Sequence, residues 1–223
     1  MITPDTTAVL LSATPASAGP NIYLSCIPLM ESAREHLIRL HWLSLREGYS
    51  GQLYERYQRF LDNYKPLKEL GYAHAFLIEA PLITFRQGLP FMCEMVQGYE
   101  PGTLYVEAVR KVYSPYENPA FLKTLEEEGV PHDSRIVFGD LEAIKAVSET
   151  VLDLSREFLA NAPAMGVAAD CMRDKDFATN VGRYAEDSHF LMLLASIYQP
   201  DRFRPLSMFF GDGPCADPAV IQG

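Results

Sequence analysis

The chain has 223 residues, of which 48% are hydrophobic and 22% are charged. This is the composition of an ordinary globular domain, and it excludes a largely disordered chain. The formal net charge of −10 repels phosphate backbones, so we do not expect duplex nucleic acid as a partner. No run approaches the roughly 18 apolar residues of a membrane span.

The four cysteines are far apart in the sequence: they are Cys26, Cys93, Cys171 and Cys215. Because none of them has CxxC spacing, we expect free thiols rather than zinc ligands or disulfides. The weakly apolar residues 8–13 follow no positively charged segment, which argues against a secretory signal. Together these features predict a cytoplasmic protein.

The first part of the chain predicts a tail followed by helices. Residues 1–26 lack periodicity and are rich in Thr, Ser, Ala, Pro and Gly, so we expect a flexible tail. Residues 27–47 favour a helix that ends at Gly48. Residues 50–70 favour a second helix, because their apolar positions alternate steps of four and three. That stripe consists of Leu53, Tyr57, Phe60, Tyr64 and Leu67.

The middle of the chain is less regular. Residues 72–86 fit either a strand or a buried helix, because they are apolar and β-branched but long. Residues 89–97 and 103–113 predict helices separated by glycine and proline. Residues 118–129 predict a further helix with a capping Asn before its first proline and a Gly at its end.

Two long helices are predicted in the last third of the chain. The helix over 140–160 has the clearest pattern, with Asp140 as its N-cap and a continuous buried stripe. Residues 174–198 predict another long helix with heptad-like apolar spacing. The remaining residues, 201–223, favour a C-terminal loop or tail.

These elements predict an all-α fold, because no segment shows sustained two-residue alternation with hairpin turns. We expect an elongated multi-helix bundle with an irregular N-terminal tail. The predicted domains are the tail at 1–26, a helical domain at 27–200 and the C-terminal segment at 201–223.

One pair of residues could contribute to a metal site. Glu186 and His189 form an E-x-x-H pair on one face of the predicted 174–198 helix, as in di-iron carboxylate proteins. Such a site needs a second E-x-x-H, which the chain lacks, so a chance pair is the preferred interpretation. His36 could instead ligate a haem in a helical bundle. An iron- or haem-dependent oxygenase is therefore an alternative that uses His36, Glu186 and His189.

Signature motifs of the large enzyme families are absent: there is no P-loop, G-x-G-x-x-G, G-x-S-x-G or H-E-x-x-H. A second alternative is a non-catalytic helical protein-interaction module. Its contacts would use the acidic surface and the adaptable methionine side chains.

Residues 136–144 read IVFGDLEAI, and this phrase resembles the opening of a long helix in the Dbl homology domain of Rho-family exchange factors. The match has a physical sense, because Phe138 can pack before the cap, Gly139 permits a turn and Asp140 caps the helix.

Two neighbouring segments resemble the same family in the expected order. Tyr105 and Val106 are similar to a Tyr-Val pair of its first conserved region, and residues 176–194 are similar to its second region. The resemblance covers about residues 100–195. Gly102 stands near the position where the family has a glutamate that contacts the GTPase.

The resemblance implies a regulator of a Rho-family small GTPase, acting as a Dbl-like guanine-nucleotide exchange module with or without remaining activity. The implied partner-binding residues are Glu100, Tyr105 and Glu107. No catalytic residue, metal or cofactor is implied, since exchange depends on differential affinity for the nucleotide-free GTPase. The identity of the GTPase and the oligomeric state stay open.

Overall fold

The structure is a computed structural model of the chain. It describes residues 1–13, 26–43, 55–80, 83–108, 124–125, 127–129, 132–173, 175–184, 188–206 and 220–222. The structural statements below concern these residues.

Strands and helices alternate along the chain. In order they are β1 (Thr7–Ala13), α1 (Ile27–Glu35), β2 (Leu40–Trp42), α2 (Glu55–Glu69), β3 (His74–Ala80), β4 (Ile83–Phe85), α3 (Leu89–Met95), β5 (Leu104–Ala108), β6 (His132–Asp140), α4 (Leu141–Cys171), α5 (Lys175–Tyr184), α6 (Ser188–Tyr198), β7 (Phe203–Leu206) and β8 (Val220–Gln222). Single turns of 3₁₀ helix lie at Pro4–Thr6 and Pro200–Arg202.

Six of the strands form one mixed sheet in the order β2-β1-β3-β6-β5-β7. β1 is parallel to both of its neighbours, β2 and β3. β6 is antiparallel to β3 and to β5, and β7 lies parallel to β5 at the far edge. β4 and β8 form a separate antiparallel pair.

Helices cover both faces of this sheet, which gives an α/β architecture of three layers. Side chains of α2, α4, α5 and α6 pack on one face, together with the strand residues that point there, such as Leu10 and Leu77. Side chains of α1, α3 and β4 pack on the other face against the alternate strand residues, such as Leu11 and Phe76.

The predicted all-α bundle is therefore wrong, and so is the irregular N-terminal tail where it includes residues 7–13. β1 is paired on both sides, by β2 and β3, and its residues Ala8–Leu11 are at most 1% exposed. A strand with parallel neighbours is covered on both faces, so its sequence is a continuous apolar run rather than an alternating one. The absence of alternation did not exclude a sheet.

Several predicted helices are also corrected. The segment predicted as a helix at 103–113 contains β5, and the one at 27–47 contains α1 and then β2. The ambiguous segment at 72–86 contains two strands, β3 and β4. The predicted C-terminal loop contains β7 and β8. Most of the helix predicted at 118–129 lies outside the described residues.

The long helix α4 confirms the strongest helical prediction, including its cap. The Asp140 carboxylate accepts a hydrogen bond from the Ala143 amide at 2.6 Å. Its second oxygen accepts from the Tyr99 hydroxyl and from the Gly102 amide, both at 2.8 Å. Burial raises the pKa of Tyr99 well above its usual value, so this phenol stays a donor at all ordinary pH values. One aspartate thus joins α4 to the turn before β5.

The segment predicted as one helix at 174–198 consists of two helices, α5 and α6. They pack on α4 through a cluster of aromatic rings. The ring centroid of Phe158 lies 6.3 Å from that of Phe177 and 5.2 Å from that of Phe190. The six-stranded sheet includes β1, which precedes residue 26, and β7, which follows residue 200. The domain boundaries predicted at these two positions stay predictions.

Among the described helices, none combines the length and the apolar character that a membrane crossing requires.

Gly139 gives a prediction about packing in β6. A Cβ atom at this position would lie 2.7 Å from Leu104 Cδ2 and 3.0 Å from the Thr103 carbonyl oxygen. The leucine can shift but the backbone oxygen cannot, so we expect Gly139→Ala to lower the free energy of unfolding by about 1–3 kcal/mol. Urea denaturation measures this change.

The matched control is Gly182→Ala in helix α5, where an added Cβ meets nothing within 4 Å. Since alanine favours a helix over glycine, this variant should gain about 0.5–1 kcal/mol. Equal effects of the two substitutions would contradict the close approach of β5 and β6.

His74 gives a prediction about pH. Its ring stacks on Phe138 with centroids 6.0 Å apart, and its Nδ1 is buried without a hydrogen-bond partner among the described atoms. Desolvation lowers the pKa of His74 below 6.5, and Asp140 only partly opposes this shift. The unfolded chain therefore takes up the proton first, and stability from this residue is complete above pH 6.5 and decreases as the pH falls below it.

We expect the free energy of unfolding to decrease by at most about 1.4 kcal/mol per pH unit from this residue. His74→Phe keeps a flat ring and removes the titration, so its stability should fall less than that of the wild type between pH 7 and pH 5. Chemical denaturation at several pH values tests this, and parallel curves for the two proteins would refute it.

Candidate functional site

The strand order of the sheet indicates where a ligand could bind. From β1 the chain passes through α1 to β2 on one side, and then through α2 to β3 on the other side. The next strand in the chain, β2, is therefore added on one side of β1, and the following strand, β3, is added on the other side. In open α/β sheets, ligands bind in the crevice outside the carboxyl ends of the strands at such a switch point.

Two polar residues lie side by side where β1 and β3 end. Ser12 and Glu79 are register partners in the parallel ladder, one residue before the last pair. The Ser12 hydroxyl is buried and donates to the Ile78 carbonyl at 3.4 Å. The Glu79 side chain is 11% exposed. Glu79 is therefore the charged group that a molecule in the crevice could reach.

Arg56 lies at the start of α2 and holds Glu79 in place. Its side chain is fully buried, and Nη1 donates to Glu79 Oε2 at 3.0 Å. Nη2 donates to the Tyr57 hydroxyl at 2.5 Å and to the Ser134 carbonyl at 2.7 Å. The guanidinium thus connects α2, β3 and β6 near the carboxyl end of β3.

The energetics of this cluster depend on pairing. A buried charge costs several kcal/mol unless a partner and hydrogen bonds compensate it. A cation near a helix N-terminus also meets the positive end of the helix dipole. Arg56 is compensated by the Glu79 carboxylate, by the Ser134 carbonyl and by the Tyr57 ring, whose centroid lies 4.6 Å away. Burial raises the pKa of Tyr57, while the adjacent guanidinium opposes that shift.

A second carboxylate lies in another strand near the same end of the sheet. Glu107 in β5 is 2% exposed and follows a β-bulge between Val106 and Glu107. It is separated from β3 by β6, so the two glutamates are roughly two strand spacings, or about 10 Å, apart across the sheet. Within the described part of the chain, no group of three or more His, Cys, Asp or Glu side chains could hold a metal ion.

The residues predicted to bind a partner lie apart from one another. Glu100 is exposed and forms an ion pair with Arg204 at 3.0 Å. Tyr105 is 7% exposed and donates to the Gly98 carbonyl at 2.8 Å, and burial raises its pKa. Glu107 is buried at the opposite end of β5. Glu107 lies two strands away from Glu79 in the sheet order, and its register partner Leu206 packs on the face opposite to α2. A partner-binding role of the three residues stays a prediction.

The residues of the metal alternative are also placed separately. His36 follows α1 and is half-buried. The backbone of His189 lies in α6, and Glu186 lies outside the described residues.

The residues that form the site were not singled out in the sequence. Tyr57 belongs to the apolar stripe of the predicted 50–70 helix, and nothing in the sequence distinguishes Arg56 beside it from a solvated arginine. The available signal was that Ser12 and Glu79 are polar residues ending two apolar runs. That signal has meaning only when both runs are recognised as parallel strands.

No family model matches this chain, and no curated protein matches it by sequence. Among solved structures, it is similar to the crystal structure of a glycosyltransferase involved in the glycosylation of the major capsid of PBCV-1. The likeness covers 97% of this chain and 92% of the other, with a TM-score of 0.52. The chain has a glycosyltransferase-like α/β fold. At 9% identity, the likeness shows the fold alone.

This finding overturns the resemblance to the Dbl homology domain. Residues 136–139, which that resemblance placed before a helix in an all-α domain, lie in β6 between two other strands. The prediction of a Rho GTPase regulator is therefore wrong. The oxygenase and the helical interaction module also presupposed a helical bundle, and the fold supports neither of them.

The Arg56–Glu79 pair gives a testable prediction about stability. Glu79→Gln removes a carboxylate charge that lies 3.0 Å from the buried guanidinium, so we expect the free energy of unfolding to fall by about 3–5 kcal/mol. A double-mutant cycle with Arg56→Met should give a coupling free energy on the order of 2–3 kcal/mol.

The control pair is Lys65–Glu69 on the same helix, whose side chains are 84% and 65% exposed. Its coupling should be about 0.5 kcal/mol or less, because solvent screens it. Urea denaturation of both sets of variants makes the comparison, and similar coupling for the two pairs would contradict the buried cluster.

Proposed function

We propose that this protein transfers a glycosyl group from a phosphate-activated sugar, such as a nucleotide sugar, to an acceptor hydroxyl. The proposal is supported by one observation above all. The polar cluster of Ser12, Arg56 and Glu79 lies at the switch point of the sheet, in a chain that is similar in fold to a glycosyltransferase over 97% of its length. Switch points of doubly wound sheets are the places where nucleotides bind.

In the proposed reaction, the bond between the anomeric carbon of the sugar and its phosphate oxygen breaks, and the phosphate leaves with the electron pair. A new bond forms between the anomeric carbon and the acceptor oxygen. The proton of the acceptor hydroxyl must be taken up by a base. Glu79 is the proposed base, because its carboxylate is the partly exposed group of the cluster.

Arg56 has a different role in this proposal. Its guanidinium donates to Glu79, Tyr57 and Ser134 among the described residues, and its side chain is fully buried. It therefore positions the Glu79 carboxylate rather than touching the substrate. A fixed carboxylate geometry favours proton transfer, since misplacement by about 1 Å can cost a hundredfold in rate.

The proposed location stays the cytoplasm. It is supported by the free thiols of Cys26, Cys93 and Cys171, which suit a reducing compartment. The proposed substrates are small molecules and a hydroxyl-bearing acceptor, and duplex nucleic acid stays an unexpected partner because of the net charge.

The test is turnover of a panel of nucleotide sugars with the purified full chain. Release of the free nucleotide is followed by chromatography, with and without simple sugar or peptide acceptors, and binding is measured by calorimetry. We expect at least one nucleotide sugar to bind and be consumed. The proposal would be overturned if no member of a broad panel bound to the protein and none released its nucleotide.

Variants then assign the base. Glu79→Gln should lower turnover by about 10²–10⁴-fold, measured at a temperature where circular dichroism shows the variant folded. Glu69→Gln, on an exposed part of α2 far from the crevice, is the matched control and should leave turnover unchanged. Equal turnover in the two variants would refute the role of Glu79.

A further inference from the structure

A large aromatic side chain is exposed at the carboxyl end of β2. Trp42 is the last residue of that strand and the only tryptophan of the chain. It is 41% exposed, whereas Leu43 directly after it is 6% exposed. A single exposed apolar residue is ordinary on a protein surface, so the position of Trp42 in the fold decides what it can do.

The position is the end of the crevice between β1 and β2. The two strands are parallel neighbours, and Trp42 is the register partner of Leu11. Helix α1, which follows β1, packs on one face of the sheet through Leu29 and Ala33. Helix α2, which follows β2, packs on the other face through residues such as Phe60. Because these helices lie on opposite faces, a ligand-sized crevice is expected between the carboxyl ends of the two strands.

Trp42 and Glu79 lie on either side of the end of β1. Trp42 shares the face of α1 with Leu40, since side chains alternate along a strand. Glu79 shares the other face with Arg56 of α2. The two residues belong to the strands that flank β1, so they are roughly two strand spacings, or about 10 Å, apart across the sheet. A molecule that lies across the carboxyl end of β1 therefore meets both side chains.

The backbone holds the indole in place before any ligand binds. The Leu43 amide donates to the Leu11 carbonyl at 3.0 Å, which continues the ladder past Trp42. The Leu43 side chain packs in the core on the α2 face. Among the described residues, none makes a hydrogen bond to the indole or stacks a second ring on it. A fixed aromatic ring binds a flat ligand at a small cost in conformational entropy.

We propose that Trp42 stacks on the base of a nucleotide, so that the phosphate-activated donor is a nucleotide sugar rather than a lipid-phosphate sugar. Every nucleobase has a flat π-face that can stack on an aromatic side chain, and a lipid-phosphate sugar has no such ring. In a nucleotide sugar, a ribose and phosphates separate the base from the transferred sugar, which matches the separation of Trp42 from Glu79. This inference rests on the proposed function, because it takes the crevice as the donor site.

The fluorescence of the full wild-type chain tests the contact directly, because its tryptophan signal comes from Trp42 alone. The chain is titrated with UDP, GDP, ADP and dTDP, and with pyrophosphate as a probe that lacks a base. After correction for light absorbed by the nucleotide, we expect at least one nucleotide to change the fluorescence and pyrophosphate to leave it unchanged. Calorimetry with the same probes gives the dissociation constants.

Variants at the same position measure the strength of stacking. Trp42→Ala should raise the dissociation constant of the bound nucleotide by about 5–150-fold. Trp42→Phe keeps a π-face and should recover most of this loss. The matched control is Tyr198→Ala, which removes a 69% exposed aromatic ring at the end of α6 and should leave nucleotide binding unchanged. Circular dichroism shows whether each variant is folded.

Several results would overturn the stacking proposal. They are the absence of nucleotide binding, nucleotide binding without a fluorescence change, and equal affinities of Trp42→Ala and the wild type. A fluorescence response to simple sugar acceptors alone would assign Trp42 to the acceptor and would also overturn it. Nucleotide stacking on Trp42 without turnover of any nucleotide sugar would instead support this inference and count against the proposed transfer.

Discussion

The parallel ladder between β1 and β3 is the constraint on which the rest of the structure depends. It pairs Thr7 with His74 and continues for seven residues to Ala13 and Ala80. Helices cover both faces of this ladder, and β2 and β6 extend it at its two edges. The same register brings Ser12 next to Glu79, so the pairing that builds the core also builds the candidate site. A slip of one residue would move every side chain of the strand to the other face of the sheet and would separate Ser12 from Glu79.

The helices at 55–69 and 141–171 could be predicted from the sequence, and the sheet could not. The apolar stripe of α2 and the Asp140 cap of α4 are local signals, and both predictions correspond to observed helices. β1 and β3 give no alternation because both of their faces are buried. The phrase at 136–139 was assigned to a helix entry for the same reason, since a covered strand and a segment before a helix cap are both short apolar runs.

The candidate site was hidden by sequence distance. Arg56 and Glu79 are 23 residues apart, and Ser134 is 78 residues from Arg56. A buried arginine beside an apolar stripe is indistinguishable in sequence from a solvated one, because only the fold supplies its counter-charge. Glu79 is a polar residue in an apolar stretch, but the sequence does not show which residues lie beside it in the fold. Recognition of the sheet order would have placed it at the switch point before any side-chain geometry was known.

The place of β6 in the sheet has a consequence for synthesis of the chain. β3 is completed at Ala80, but its second neighbour begins only at His132. While the intervening residues emerge from the ribosome, β3 presents an unpaired apolar edge, which is a template for pairing with other chains. This edge stays open to wrong pairing from completion of β3 until β6 has emerged. Slow translation of that interval would lengthen the exposure and lower the yield of native protein.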